Sequence, residues 1–237
     1  MGVARPLMGR RDLIGLSCGV LLAATAALLR SSRPVVTVKR GVPDGDVGLF
    51  AAMRVRRSIR EYTGEDVSLD DVQMLCWSAQ GMTCPITGYR ASPSAGAKFP
   101  LEVFAAVSRG VYHYWPEADD LKEHSTRDVR RKLSMASLNQ PWVRDAAVDI
   151  VLCAEYERTT VRYGERGRRY VHMEAGHAAQ NVLLTAVALG LGAVPIGAFD
   201  EDGVSMALGI EYPLVPVYLI SIGHPAETSC GTEGEQL

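Results

Sequence analysis

The stretch Glu174-Ala175-Gly176-His177-Ala178-Ala179-Gln180-Asn181-Val182-Leu183-Leu184-Thr185-Ala186-Val187-Ala188-Leu189-Gly190 decides the architecture. Its spacing predicts one long helix from Tyr170 to Leu189, with Gly190 as the natural stop. After Gln180 and Asn181, the apolar residues Val182, Leu183, Leu184, Ala186, Val187 and Leu189 occupy every side of that helix. A helix without a polar face has to be covered all round, by its own domain or by a second subunit.

Outward from this helix, helix and strand signals alternate. Ser68-Leu69-Asp70-Asp71 is an N-cap with an acidic first turn, opening a helix through Trp77 and Ala79 to Gly81. The stripe Val47, Phe50, Ala51 and Val55 predicts a helix over Val47–Arg57. Leu101–Val107 and Val111–Trp115 flank Ser108-Arg109-Gly110 as a hairpin, with Tyr112, Tyr114 and Trp115 in its core. Asp128–Leu138 reads as helix, Val148–Ala154 as a buried strand and Val215–Ile222 as the last strand. No internal repeat is visible. The expected class is α+β, with one mixed or antiparallel sheet wrapped by helices.

The composition supports such a core. The chain has 237 residues, 47% of them hydrophobic, which suits one domain, two at most. Lys plus Arg number 25 against 27 Asp plus Glu, a net charge of −2, so nucleic acid is not the expected partner. Disorder, collagen and a multi-span membrane protein are excluded on the same grounds. Cys18, Cys76, Cys84, Cys153 and Cys230 show no metal-ligand spacing and read as scattered buried thiols, although two disulfide pairs stay open.

The N-terminus reads as separate from this domain. Leu13–Leu29 carries no charge and follows Arg5, Arg10 and Arg11, the layout of an export signal. Gly9-Arg10-Arg11-Asp12-Leu13-Ile14 resembles a twin-arginine signature, and Ala24-Thr25-Ala26 offers a small-residue cleavage site. An uncleaved membrane anchor through residues 13–29 is the other reading. Its orientation stays open, cytoplasm-facing included, because Arg30, Arg33, Lys39 and Arg40 lie just beyond it. The expected organisation is a signal or anchor at 1–29, a Pro/Gly-broken linker at 30–46 and the folded domain at 47–237. An exported, periplasmic or membrane-anchored location follows.

Three segments carry chemistry. In Arg56-Arg57-Ser58-Ile59-Arg60, extended backbone would turn Arg56, Ser58 and Arg60 the same way. Two guanidiniums and a hydroxyl suit a phosphate with a polar chain attached. Ser92-Pro93-Ser94-Ala95-Gly96-Ala97-Lys98-Phe99-Pro100 is a run of small residues that lets backbone approach a flat ligand. Gly192-Ala193-Val194-Pro195-Ile196-Gly197-Ala198-Phe199 is again small and follows the buried helix, without the glycine spacing of a dinucleotide fingerprint. Glu174 and His177 lie one turn apart, but a second such pair is missing, so His177 reads as a packed helix or interface residue. Gln180 and Asn181 are expected to satisfy buried backbone.

Taken together, residues from about Met53 to Pro225 resemble the nitroreductase-like FMN flavoproteins, and within them the SagB-type dehydrogenases. The resemblance rests on Arg56-Arg57-Ser58-Ile59-Arg60 with Tyr62, on Pro93-Ser94-Ala95-Gly96 running into Pro100-Leu101-Glu102-Val103, and on Gly110-Val111-Tyr112-His113-Tyr114 and Gln140-Pro141-Trp142-Val143. It continues through Glu174 to Asn181, Gly190-Leu191-Gly192, Pro195-Ile196-Gly197-Ala198-Phe199 and Ile222-Gly223-His224-Pro225.

The resemblance implies an FMN-binding homodimer with flavin at the subunit interface. Arg56, Ser58 and Arg60, with Arg57 beside them, would hold the phosphate and ribityl chain. Ser94, Ala95 and Gly96 would pass beside the isoalloxazine, and Pro195, Ile196 and Gly197 would put backbone against its reactive edge. Two departures stand out: Phe99 lacks the aromatic hydroxyl often found there, and nothing after His224 is basic. Lys98 is the nearby side chain with plausible substrate chemistry. The implied activity is two-electron transfer through flavin, with NAD(P)H or a reduced substrate as donor and a small molecule or peptide as substrate. An NAD(P)H-dependent nitro or quinone reductase, and a flavin-fold binding or assembly protein without turnover, are the alternatives.

Overall fold

The structure is a computed structural model, described here for residues 48–226. The expected signal or anchor and most of the linker lie outside the described residues, as do Cys18 and Cys230. Its centre is a six-stranded sheet, built from β3 (Leu101–Val107), β4 (Gly110–Trp115), β5 (Asp120–Ser125), β6 (Val148–Glu155), β7 (Gly192–Ile196) and β8 (Leu214–Gly223). The spatial order is β5-β4-β3-β6-β8-β7, with every neighbouring pair antiparallel. A separate hairpin pairs β1 (Met82–Cys84) with β2 (Tyr89–Arg90).

Alternate residues of the central strands feed two cores. Val103, Ala105, Ile150 and Leu152 enter one, packed by α2 (Leu69–Gln80) and α6 (Arg166–Ala188). Phe104, Ala106, Val151 and Cys153 enter the other, under α3 (Arg130–Ala136), α4 (Pro141–Asp145) and α7 (Glu201–Leu208). Burial on both faces makes β3 and β6 read as continuous apolar runs rather than alternating ones. The expected helix at Ser68 is present: the Ser68 hydroxyl accepts from the Asp71 amide at 3.1 Å, and Asp70 and Asp71 face the positive end of the dipole. Gly81 ends it where a Cβ would lie 2.2 Å from the Trp77 ring.

Four expectations are corrected. The first helix, α1, spans Leu49–Val55, and its apolar stripe faces outward: Phe50 is 74% exposed and only Ala52 is buried. The long helix begins at Arg166 instead of Tyr170; within one chain Val182, Leu183 and Ala186 are buried whereas Leu184 and Val187 are half-buried and Ala188 is exposed. Gln180 is exposed and turned away from buried backbone, and His177 is exposed within the single chain. In the hairpin, Tyr114 is buried but Trp115 lies open at the strand end. Cys76 and Cys153 are buried free thiols and Cys84 is a half-buried one. No helix among the described residues is long and apolar enough to cross a membrane.

Candidate functional site

The basic segment leaves α1 at Arg56, whose backbone N–H still caps Ala52. It then runs extended beside the sheet edge: Ser58 forms a parallel bridge with Ala193, and the Ile59 N–H donates to the Ala193 carbonyl at 3.0 Å. Gly192 permits this approach, because a Cβ there would lie 2.7 Å from Ile59 Cγ2. Tyr62 fastens the far end, its hydroxyl placed 2.9 Å from the Ile59 carbonyl and 3.0 Å from that of Ser221. Arg57 turns back to donate to the Val55 carbonyl at 3.0 Å.

Arg56 is half-buried, while Ser58 and Arg60 are exposed. Among the described residues no carboxylate pairs with Arg56 or Arg60, so their donors are available. Their immediate surroundings differ. Arg56 and Arg57 line a cavity of about 170 Å³ with Leu183, Val187 and Gly192. Arg60 instead borders one of about 620 Å³ with Tyr62, Arg130 and Trp142, its guanidinium 5.3 Å from the Trp142 ring centre. Pro195 and Ile196 end β7 alongside this segment, and Gly197 follows exposed, with nothing within 4 Å of where a Cβ would stand.

Behind Tyr62 lies Asp149, fully buried on β6 and missed as an acid inside an apolar run. Its Oδ1 accepts from the Ser221 hydroxyl, and its Oδ2 has no hydrogen-bond partner among the described residues. Burial pushes this carboxyl well above its ordinary range, with the Ser221 hydrogen bond and Arg130 opposing. Burial, then the neighbouring Asp149, likewise push the Tyr62 hydroxyl up.

The small-residue loop is held by other elements. The Asn181 amide, as expected, satisfies buried backbone, donating to the Ser78 carbonyl at 3.1 Å and the Ala91 carbonyl at 3.4 Å; it also reaches the Ser92 hydroxyl. Ser94 Oγ accepts from the Phe99 N–H at 2.8 Å. Between them Gly96, Ala97 and Phe99 have φ of 61°, 52° and 45°. Left-handed backbone at Ala97 and Phe99 is strain that only surrounding contacts can maintain. Arg90 lies over the Phe99 ring at 4.8 Å, and Arg158 donates to its carbonyl at 3.2 Å. Lys98 is exposed. No hydrogen bond or ion pair among the described residues joins this loop to the Arg56–Arg60 segment.

Glu174 sits beneath the loop, 2% exposed. Gln80 Nε2 donates to it at 3.5 Å, while Gln80 Oε1 accepts from Arg90 at 3.3 Å. Burial pushes Glu174 up to about 7, against hydrogen bonds from Ser94 and Gln80 and the charge of Arg90. The sequence placed Glu174 beside His177, but the helix turns one inward and the other out. Next to the loop, burial would raise Glu102, but hydrogen bonds from His113 at 2.8 Å and Arg158 at 2.7 Å hold it below its ordinary range. That cluster borders a cavity of about 560 Å³ with Trp115, Glu155 and Leu214.

An antiparallel six-stranded sheet between helical layers, with an extended basic segment along one edge, defines the nitroreductase-like class of α+β folds. The chain belongs to the nitroreductase family, whose model matches residues 53–224. It is 39% identical over 199 residues to a Methanocaldococcus jannaschii protein assigned as a nitroreductase, covering 81% of this chain and 98% of the relative. An NAD(P)H-dependent FMN reductase of Bacillus subtilis is 24% identical over 73% of this chain and 64% of its own. The microcin B17-processing protein of Escherichia coli is 23% identical over 76% of this chain and 71% of its own. The crystal structure of a Ralstonia eutropha protein assigned as a nitroreductase matches with a TM-score of 0.72 at 25% identity, covering 80% of this chain and 88% of that one. Members of the family are oxidoreductases, FMN reductases among them.

Proposed function

We propose that the protein is an FMN-dependent oxidoreductase that acts as a homodimer with flavin held between subunits. One observation carries the reading: the Arg56–Arg60 segment, whose two outer guanidiniums meet no carboxylate among the described residues, pairs at Ser58 with Ala193 of β7, the strand that runs on into Pro195, Ile196 and Gly197. Those donors with the Ser58 hydroxyl suit a phosphate and its polar chain. The open face of Gly197 leaves room for a flat ring against the backbone. Bound FMN would supply two-electron transfer.

The chain's own residues bind and orient the cofactor. Arg56, Ser58 and Arg60 hold its phosphate and ribityl chain, and Pro195–Gly197 support the ring. Ser94, Ala95 and Gly96 hang on different elements, so a second copy supplying this loop completes each site. The apolar outer face of α1 and the half-covered end of α6 are the surfaces that copy would bury. NAD(P)H as donor fits the FMN reductase relatives, which are named for NAD(P)H and NADPH. The microcin-processing relative favours a SagB-type dehydrogenation of a small molecule or peptide, with exposed Lys98 as the side chain placed to meet it. In the same reading Leu13–Leu29 is an export leader. Replacing Arg10 and Arg11 with Lys is expected to block export of a fused reporter, and unchanged export would count against it.

Colour tests the central claim. Purified protein is expected to be yellow, to release FMN on denaturation and to be bleached by a reduced nicotinamide. Colourless protein that takes up no FMN overturns the reading.

A further inference from the structure

The sheet face that carries the second core ends in polar residues. Alternation along the strands puts Glu102 on the side of Phe104, and His113 and Trp115 on the side of Val111. All three lie at the end of the sheet where β3 begins and β4 finishes. Glu155 closes β6 there, Leu214 opens β8, and Arg158 reaches in from α5 (Glu157–Tyr163). Together with the Arg90–Glu117 pair they line the open cavity of about 560 Å³.

The positive charge of this cavity is already committed. Arg158 gives Nη1 to Glu102 at 2.7 Å and to the Phe99 carbonyl at 3.2 Å, and Nε to Glu155 at 2.6 Å. Arg90 gives Nη2 to Glu117 at 3.2 Å and Nη1 to Gln80 at 3.3 Å, with its guanidinium over the Phe99 ring. The acceptors are not used up. Three carboxylates share two guanidiniums, and Glu155 Oε1 and Glu117 Oε2 have no hydrogen-bond partner among the described residues. His113 adds a further acceptor. Stacking on Phe104 at 4.5 Å fixes its ring, and its Nε2 lies 2.8 Å from Glu102. A carboxylate only accepts, so the proton stays on Nε2 and Nδ1 of the neutral ring keeps its lone pair. That nitrogen has no partner among the described residues.

Trp115 supplies a wall that already serves a cation. It is 41% exposed, and the Lys122 ammonium rests 3.4 Å from its ring centre without meeting a carboxylate among the described residues. Leu214, Pro116 and Pro213 add apolar surface beside it.

We infer that this cavity is a binding site for a small organic cation whose head offers several N–H donors, as an amidinium, a guanidinium or a primary ammonium does. Glu155, Glu117 and His113 Nδ1 are the acceptors for the head, and Trp115 and Leu214 receive its apolar body. An anion would meet the surplus of carboxylate oxygens, and a neutral ligand would gain nothing from them. The cavity shares no residue with the Arg56–Arg60 segment or with Pro195–Gly197, so the site stands whether or not flavin binds.

The test titrates the full chain as purified with benzamidine hydrochloride and follows the Trp115 indole N–H by NMR, its signal identified by its loss in Trp115→Phe. Saturable movement of that signal is expected. Benzamide, the neutral isostere, and benzoate, the anionic one, should bind about tenfold more weakly or worse, since both forgo the charge-assisted hydrogen bonds. Glu155→Gln should weaken benzamidine by a similar factor. Glu117→Gln, at an exposed carboxylate, should act in the same direction without touching Arg158. Acetyl-Gly-Arg-Gly amide separates two sources of the cation. Binding that matches benzamidine assigns the site to basic side chains of peptides, a clear loss assigns it to free cations, and either result supports a cation site. A Trp115 signal that benzamidine leaves unmoved, a benzamide or benzoate affinity equal to that of benzamidine, or unchanged benzamidine affinity in both carboxylate variants overturns the inference.

Discussion

Ser58 lies in parallel pairing with Ala193, and this one bridge brings the basic segment to the edge of an otherwise antiparallel sheet. The contact depends on Gly192, whose missing side chain is replaced by that of Ile59. Gly192→Ala forces its new methyl to within 2.8 Å of Ile59 Cβ, a branch point that cannot swing away. The expected outcome is a stability loss of about 1–3 kcal/mol and a lower flavin content. Denaturant unfolding and flavin-to-protein ratios check both; a variant matching wild type would show that the edge tolerates displacement.

Arg56→Ala and Arg60→Ala are each expected to weaken FMN binding by about 1.5–3 kcal/mol, the size of a lost charge-assisted hydrogen bond. Neither guanidinium stabilises a carboxylate among the described residues, so melting temperatures of the flavin-free forms should stay close to wild type. Fluorescence titration with FMN measures the effect. Unchanged affinity in both variants would move the phosphate elsewhere.

The buried acids predict a stability that falls as pH rises. Burial raises Asp149 in the folded chain, so the folded state keeps a proton that the unfolded state releases. Stability is greatest below the ordinary carboxylate range and declines above it until the folded value is passed. Glu174 acts in the same direction between its ordinary 4.5 and about 7, worth on the order of 3 kcal/mol. Asp149→Asn keeps an acceptor for the Ser221 hydroxyl and removes one of the two ionisations. Unfolding at about pH 5 and about pH 8 should therefore show a shallower loss in Asp149→Asn than in wild type. Equal slopes would mean that Asp149 does not titrate in this range.

Association is expected to run through α1. Phe50 and Val55 are 74% and 51% exposed, so Glu at both positions should leave the subunit folded. Sedimentation should show a dimer for wild type and a monomer for the double variant, with FMN lost alongside. A wild-type monomer retaining stoichiometric FMN would place the whole site in one chain.

Wherever local pattern is sufficient, the amino-acid sequence alone determined the element. Ser68 followed by Asp70 and Asp71 marked the start of α2, because a cap acts over one turn. The turn at Ser108-Arg109-Gly110 joined two strands whose pairing is local, and the apolar run of β6 announced a strand buried on both faces. The basic segment and the two small-residue segments were legible as chemistry because their residue types are unusual in those runs.

Position in space was decided only by the tertiary structure. Asp120–Ser125 is polar except for Leu121 and becomes β5 because an edge strand needs a partner on one side only. Gly192–Ile196 read as a plain small-residue run and becomes β7 through its ladder with β8. The stripe on α1 was visible, but periodicity cannot say which way a face will turn. Nor could it tell that Glu174 points inward and His177 outward, or that Asp149 hides within an apolar strand. Those outcomes rest on contacts between residues far apart in the chain, and periodicity within a segment carries no information about its distant partners.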